Sequence, residues 1–365
     1  MLIHTFSNQD QLYRYSKDCI LTFSGKRNVL STSALSGGYH ENLNCVFNYD
    51  EKGEIDNQCE MKESTYEEHL FQIAKDKLNL DPVFCTGLST AADMENLAIE
   101  TEEIVLIDGT RLTVSAVVTG GIDKNGARVG DPACWQEIDG TYHPIIPGTI
   151  NIILHLDAAL TEGAMARALV TCTEAKTAAV GELLCPSLYS SGIATGSGTD
   201  GVIIITNPSS QIHLTSAGKD SKLGEMIGKS VMKAVKKTIA LQTDVSEKTQ
   251  HHVLRRLERF GLTEDFFYQV YREESYQKPW LCREELILQY TPLFTDGFWT
   301  GKASCIAHLF DQFSWNMLSE KDLLSMIPLL FSEQKEKLQK EDFSIQSWLK
   351  AFSFELLHQN KTLFA

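Results

Sequence analysis

The 365-residue chain contains no apolar run approaching the roughly 18 residues of a membrane-spanning helix. Its nine cysteines (Cys19, Cys45, Cys59, Cys85, Cys134, Cys172, Cys185, Cys282, Cys305) are odd in number, scattered, and without a CxxC pair. That pattern speaks against a disulfide scaffold and against a structural zinc module. Basic residues are in deficit: 33 Lys and Arg stand against 48 Asp and Glu, for a net charge of -15. Phosphate neutralisation needs clustered Lys and Arg, so a nucleic-acid partner is not expected. A GxSxG elbow, an HExxH helix, a P-loop and a readable Ser/His/Asp order are all missing. The opening stretch MLIHTFSNQDQLYRYSKD mixes charge with polarity and lacks the apolar core of a secretory signal. These absences together lead to the expectation of a reduced, cytoplasmic protein with no membrane partner.

What is present suits a globular chain with a sizeable core: 43% of residues are hydrophobic and 22% charged. Short strands are expected at 20–23 and 28–33, joined through Gly25-Lys26-Arg27, and a third at 45–49 after the Gly37-Gly38 turn. The stretch 50–59 reads as polar loop, 65–80 as a helix, and 83–90 and 112–119 as further strands. In 149–156, Ile150, Ile152, Leu154 and Leu156 point to one side, while Asn151, Ile153, His155 and then Asp157 point to the other. Thr161 is a fitting N-cap for a helix to about 184, with Glu162 in its first turn. A core strand follows at 201–207. The helix at 221–242 has Lys222, Lys229, Lys233 and Lys236 on one solvated face. Strands and helices alternate without a strict βαβ rhythm, which predicts an α+β fold: a layered mixed β-sheet domain packed with helices over 1–242. Beyond residue 243 the spacing is helical and four of the five tryptophans gather (Trp280, Trp299, Trp315, Trp348), so 243–365 reads as a smaller all-helical domain.

Three stretches carry side chains suited to chemistry. Gly196-Ser-Gly-Thr-Asp-Gly201 fits GxGxxG, with Asp220 at the distance of a ribose-binding acid. A dinucleotide loop leads from a strand into a helix, whereas this one runs into the strand VIIIT. The loop reads better as a polar rim in which Thr195, Ser197, Thr199 and Asp200 hold or activate a ligand that glycine lets approach the backbone. On the helix before it, Met165, Leu169, Cys172 and Lys176 form one stripe, and Arg167, Thr171 and Glu174 another nearly opposite. One of Lys176 and Glu174 is therefore structural or exposed. The third stretch is 31–42, where Ser33 and other hydroxyls lead through Gly37-Gly38 to His40, Glu41 and Asn42, a combination suited to proton transfer or metal ligation. His155 and Asp157 share a face with Asn151, but HxD alone does not define a metal site.

At these residues the chain resembles the adenosylcobinamide amidohydrolases of corrinoid salvage, over about 18–240. The likeness rests on NVLSTSALSGGYHENLN (28–44), GLSTAADMENLAI (87–99), VSAVVTGGID (114–123), GTINIILHLDAAL (148–160), RALVTCTEAKTAAV (167–180) and ATGSGTDGVIIIT (194–206). The resemblance implies hydrolysis of the amide between the corrin ring and its aminopropanol arm, giving adenosylcobyric acid and 1-amino-2-propanol. It implies a corrinoid small-molecule partner, with cobalt present only in that substrate and no cofactor certain. Its blocks contain His40, Asn42, Glu174, Lys176, Thr199 and Asp200 as candidate positions without assigned roles. Taken with the residue types, His40, Asp200, Glu174 and Lys176 are the catalytic candidates, and Ser33, Gly37, Gly38, Asn42, Thr195, Ser197 and Thr199 the substrate-binding ones. One position departs: Asp220 stands where the family is expected to carry histidine. Three functions remain open at this point: the amidohydrolase, a non-catalytic corrinoid-binding or sensing protein with a helical output domain, and an unrelated amidase or acyltransferase. Metal dependence and homo-oligomer formation are open as well.

Overall fold

The computed structural model describes residues 1–52, 63–133, 137–138, 141–142, 149–274, 281–339 and 343–359. Cys59, Cys134, Gly148 and Trp280 lie outside them, as does most of the expected 50–59 loop. The chain forms two compact units, 1–189 with 193–246, and 190–192 with 247–365.

The first unit is built on two sheets. One has the strand order β1 (Leu2–Thr5), β2 (Gln11–Arg14), β3 (Asp18–Thr22), β6 (Cys45–Asp50), β7 (Cys85–Thr90). The other has the order β5 (Gly38–His40), β4 (Asn28–Ser31), β16 (Gly201–Thr206), β13 (Ile150–Leu156), β9 (Arg111–Gly120), β8 (Ala98–Val105). β6 with β7 and β13 with β16 are parallel, and the remaining neighbours in these two sheets are antiparallel. Three two-stranded ribbons complete the strands: β10 (Gly126–Ala127) with β15 (Gly196–Ser197), β11 (Glu137–Ile138) with β12 (Thr141–Tyr142), and β14 (Ala159–Leu160) with β17 (His213–Leu214).

The alternation of β13 sets the layers. Ile150, Ile152, Leu154 and Leu156 pack with α2 (Glu162–Glu182) and α3 (Lys222–Thr243), among them Met165, Cys172, Ile227 and Val231. Ile153, on the other face, meets Leu12, Leu21, Val46, Leu88, Val117 and Ile203 between the two sheets. On the outer face of the first sheet, Cys45, Phe47 and Cys85 are covered by Leu70 of α1 (Tyr66–Gln72) and by Ile73 and Ala74. The order is helix, sheet, sheet, helix pair. Each fully buried Ile or Leu contributes about 1.5–3 kcal/mol, so one slip of register in β13 would forfeit a whole apolar row.

The helix ends follow local chemistry. Thr161 accepts from the Ala164 amide at the start of α2, and Ser221 from the Gly224 amide at the start of α3. The lysines of α3 are tied to neighbouring carboxylates, Lys229 to Glu225 (2.7 Å), Lys233 to Glu102 (2.5 Å) and Lys236 to Glu182 (2.8 Å).

Several local expectations are corrected. The strands at 20–23 and 28–33 exist as β3 and β4 but belong to different sheets, so 25–27 is a crossover and not a hairpin turn. The polar N-terminal stretch supplies β1 and β2, whose outward side chains leave little apolar signal. The helix expected over 65–80 ends at Gln72 and widens into a π-helical turn over Ile73–Lys77.

The second unit is helical among the described residues: α4 (Val253–Leu257), α5 (Glu264–Glu274), α6 (Arg283–Phe294), α7 (Gly297–Ser314), α8 (Glu320–Leu330), α9 (Lys335–Leu338) and α10 (Ile345–Leu357). Its core is aromatic, with Phe267 edge-on to Phe294 at 5.1 Å and Phe331 edge-on to Trp348 at 5.3 Å. A buried Lys302–Glu355 pair (2.6 Å) sits in it, with the ammonium 4.8 Å from the Trp299 ring.

Candidate functional site

The parallel strands β13 and β16 begin side by side, Asn151 opposite Gly201, and the polar loop precedes the second of them. Asp200 is its centre. One carboxylate oxygen, Oδ1, accepts from the Ile150 amide (3.0 Å), the Ser197 amide (3.1 Å) and the Ser197 hydroxyl (2.6 Å). The other, Oδ2, accepts from Lys176 Nζ and from the Ser197 amide (3.2 Å). The Lys176 and Asp200 side chains are only 10% and 12% exposed, so each charge depends on the other for the solvation that burial removes. α2 delivers Lys176 from its buried stripe, as the spacing of Met165, Cys172 and Lys176 indicated.

Glycine is required in this loop by packing. A Cβ on Gly196 would lie 2.1 Å from Asp200 Oδ2 and 2.5 Å from Lys176 Nζ. One on Gly198 would lie 2.8 Å from Asn125 Nδ2, and one on Gly201 2.6 Å from Leu88 Cδ2. These contacts account for the GxGxxG match, and Asp220 lies away from the loop, exposed beside the Ser221 cap of α3.

The remaining expected residues divide. Thr195 is at the site but committed to the backbone: its amide donates to Ala127 (2.9 Å), its carbonyl accepts from Thr177 Oγ1 (3.1 Å) and its hydroxyl from the Val129 amide (2.9 Å). Thr199 is exposed and bonds through its hydroxyl to Thr149. Ser33 is buried, donating to the Gly87 carbonyl (2.5 Å) and accepting from the Leu35 amide (3.0 Å), which makes it a fastener between the sheets. Gly37 and Gly38 shape the turn after it. Gly38 has φ +85°, and a Cβ on Gly37 would lie 2.2 Å from the Ser33 carbonyl oxygen. Asn42 is exposed beyond the turn.

His40 and Glu174 are not brought to Asp200. β5 is an edge strand in which His40 stands opposite Val29, and Val29 stands opposite Ile205. His40 is therefore level with the fourth residue after Gly201, roughly 13 Å along the strand direction, and its Nε2 donates to the Gly37 carbonyl (3.1 Å). Glu174 is on the exposed face of α2, where the two-stripe reading of that helix allowed one of the two to fall. Any turnover by the chain should stay within about twofold of the wild type in His40→Ala and Glu174→Ala, as surface substitutions away from special features do. Steady-state rates of the two variants check this.

Two polar groupings near the loop were missed. Asn151 donates from Nδ2 to Asn48 Oδ1 (2.8 Å) and to the Ser89 carbonyl (2.7 Å), and Asn48 donates to Thr119 (2.6 Å), all between the sheets. The signal was available, since a polar residue stood at an inward position of an otherwise apolar strand. The second is a wall in which Tyr189 donates to Asn125 Oδ1 (2.9 Å) and Ser187 to Asp131 Oδ2 (2.5 Å). Nothing local announces it, because the partners are distant in sequence.

His155 and Asp157 occupy the opposite end of the sandwich. His155 lies 3.0 Å from Asp10, which also receives a two-pronged bond from Arg27 (2.8 Å to each oxygen). Asp157 accepts from Ser7 (2.6 Å) and Asn207 (3.0 Å). Among the described residues no group of three or more His, Cys, Asp or Glu is placed to hold a metal ion.

Two facing sheets flanked by helices, with a hydroxyl-rich glycine loop closing over a buried lysine–aspartate pair, define a four-layer α+β domain. Residues 3–247 match the adenosylcobinamide amidohydrolase (CbiZ) family, and the chain belongs to it. An uncharacterized protein of Methanocaldococcus jannaschii is 34% identical over 250 residues, 65% of this chain and 91% of that protein. A crystal structure of a Pyrococcus horikoshii protein covers 65% of this chain and 81% of its own at 11% identity, with a TM-score of 0.31, too slight a likeness to bear on fold or function.

Proposed function

We propose that the chain hydrolyses, in the cytoplasm, the amide between the corrin ring and the aminopropanol arm of adenosylcobinamide, releasing adenosylcobyric acid and 1-amino-2-propanol. Membership of the family supports the reaction class. The observation that carries the reading is the 2.6 Å bond from the Ser197 hydroxyl to a carboxylate whose other oxygen faces a buried lysine.

Amide cleavage needs a polarised hydroxyl or water, stabilisation of the tetrahedral oxyanion and a proton for the departing amine. Asp200 takes the proton of Ser197, or of a water held against it, as that oxygen adds to the amide carbon, and gives the proton to the aminopropanol nitrogen as the C–N bond breaks. Where Ser197 is the attacking group, a water then hydrolyses the ester to the acid, and Lys176 fixes the carboxylate in place throughout. Glycines at 196, 198 and 201 let the loop close against Asp200, Asn125 and Leu88, where a side chain would clash. Cobalt belongs to the substrate. All of these groups lie in the first unit, and the helical unit is assigned no chemical step. Buried free thiols at Cys45, Cys85, Cys172 and Cys185 are in keeping with a reducing compartment.

The test is mass spectrometry of purified protein with adenosylcobinamide, with and without a chelator. Adenosylcobyric acid as product supports the reading, and its loss on chelation would add a metal requirement. Retained corrinoid without product would replace hydrolysis by binding alone.

A further inference from the structure

The Tyr189–Asn125 pair bears on the loop that carries Ser197 and Asp200, and no step above uses it. Asn125 is 2% exposed, a carboxamide sealed under the glycine loop. Gly198 rests directly on it: the position a Cβ would take is 2.8 Å from Nδ2 and 3.1 Å from Oδ1. The residue after Asn125 begins β10, which pairs with β15 so that Gly126 faces Ser197 and Ala127 faces Gly196. The same strand is held from its other side, where the Leu188 amide donates to the Gly126 carbonyl (2.9 Å). Tyr189, the next residue, turns its hydroxyl onto Asn125 Oδ1 at 2.9 Å, which fixes the rotation of the carboxamide.

We propose that Tyr189 and Asn125 are positioning residues: the phenol locks the buried carboxamide, the carboxamide supports Gly198, and that support sets the Ser197 hydroxyl against Asp200. The inference deepens the proposed hydrolysis and rests on it for its kinetic consequence, though its structural consequence stands alone. Loops of glycine have the most conformational freedom to lose, so one that holds a reacting hydroxyl needs a rigid floor. A hydroxyl displaced by about 1 Å can lose on the order of a hundredfold in rate while the substrate still binds.

Tyr189→Phe removes one hydroxyl and keeps the ring, so the full-length variant is expected to fold, with a melting temperature lowered by a few degrees at most. It should lower kcat about tenfold with KM within about twofold, and Asn125→Ala should lower kcat on the order of a hundredfold. Hydrogen exchange followed by mass spectrometry should show faster exchange of the 196–200 amides in Tyr189→Phe, with 202–206 in β16 unaltered. Unchanged kcat together with unchanged exchange at 196–200 would overturn the proposal, and so would faster exchange across the whole unit, the mark of general loosening. If the wild type fails to cleave adenosylcobinamide, the hydrolysis reading falls. The exchange result then decides the positioning role, faster at 196–200 supporting it and unchanged refuting it.

Discussion

Asp200→Asn is expected to lower the proposed turnover of adenosylcobinamide by roughly 10²–10⁴-fold, the range associated with loss of a group that takes a proton in the transition state. The variant keeps shape and removes charge. An asparagine can still accept at one oxygen from the Ile150 and Ser197 amides, but its amide nitrogen must then face Lys176 Nζ, donor against donor. Breaking one side of a buried ion pair typically costs about 3–5 kcal/mol, because the survivor is left without compensation. With both side chains about nine-tenths buried, solvent does little to soften that figure here. Lys176→Met should destabilise for the same reason, leaving a carboxylate that has lost its ion-pair partner. The double variant separates architecture from chemistry. Lys176→Met with Asp200→Asn should melt higher than the sum of the two single losses predicts, by a coupling of about 0.5–3 kcal/mol, and remain inactive. Thermal denaturation of the four proteins and their rates together check the claim. Strict additivity would show that the pair is not coupled, and a double variant with wild-type turnover would remove Asp200 from the reaction.

What was legible in the sequence is what periodicity controls. The apolar row Ile150, Ile152, Leu154, Leu156 and the buried stripe of α2 were readable because burial on one face imposes a repeat of two or of 3.6 residues. The same rule exposed the conflict between Lys176 and Glu174, and burial resolved it for the lysine. Local pattern cannot say which sheet a strand joins, and so 20–23 and 28–33 read as partners when they lie in different layers. His40 misled for a related reason. A histidine after a double-glycine turn has suitable chemistry, but the register of an edge strand carries it away from the loop. The floor formed by Tyr189 and Asn125 was invisible, being a contact across 64 positions, and Asp10 and His155 meet across 145. Side chains whose role is to join distant segments carry no periodic mark.

That last grouping governs acid stability. Asp10 is fully buried where β1 turns into β2, and burial alone would raise its pKa. Hydrogen bonds from His155 and Arg27 outweigh burial and hold the carboxyl down at about 2, against an ordinary value of 3.8. A carboxyl with a depressed folded-state pKa stabilises the protein above its unfolded pKa and loses that contribution as pH falls through the folded one. The window here is therefore from about pH 4 down to about pH 2, and the contribution is on the order of 2 kcal/mol. Asp10→Asn should destabilise the first unit strongly at neutral pH, since the Arg27 guanidinium would be left buried without its counter-charge, a loss of about 3–5 kcal/mol. The difference in stability between wild type and variant should narrow as pH falls from about 4 towards 2, as the wild-type carboxyl takes up its proton. Groups remote from Asp10 titrate alike in both proteins and cancel in that difference. Denaturant unfolding of the pair at pH 6, 4 and 3 measures it. A gap that stays constant down to pH 3 would mean that the charge on Asp10 is not what holds the N-terminal strands against β13.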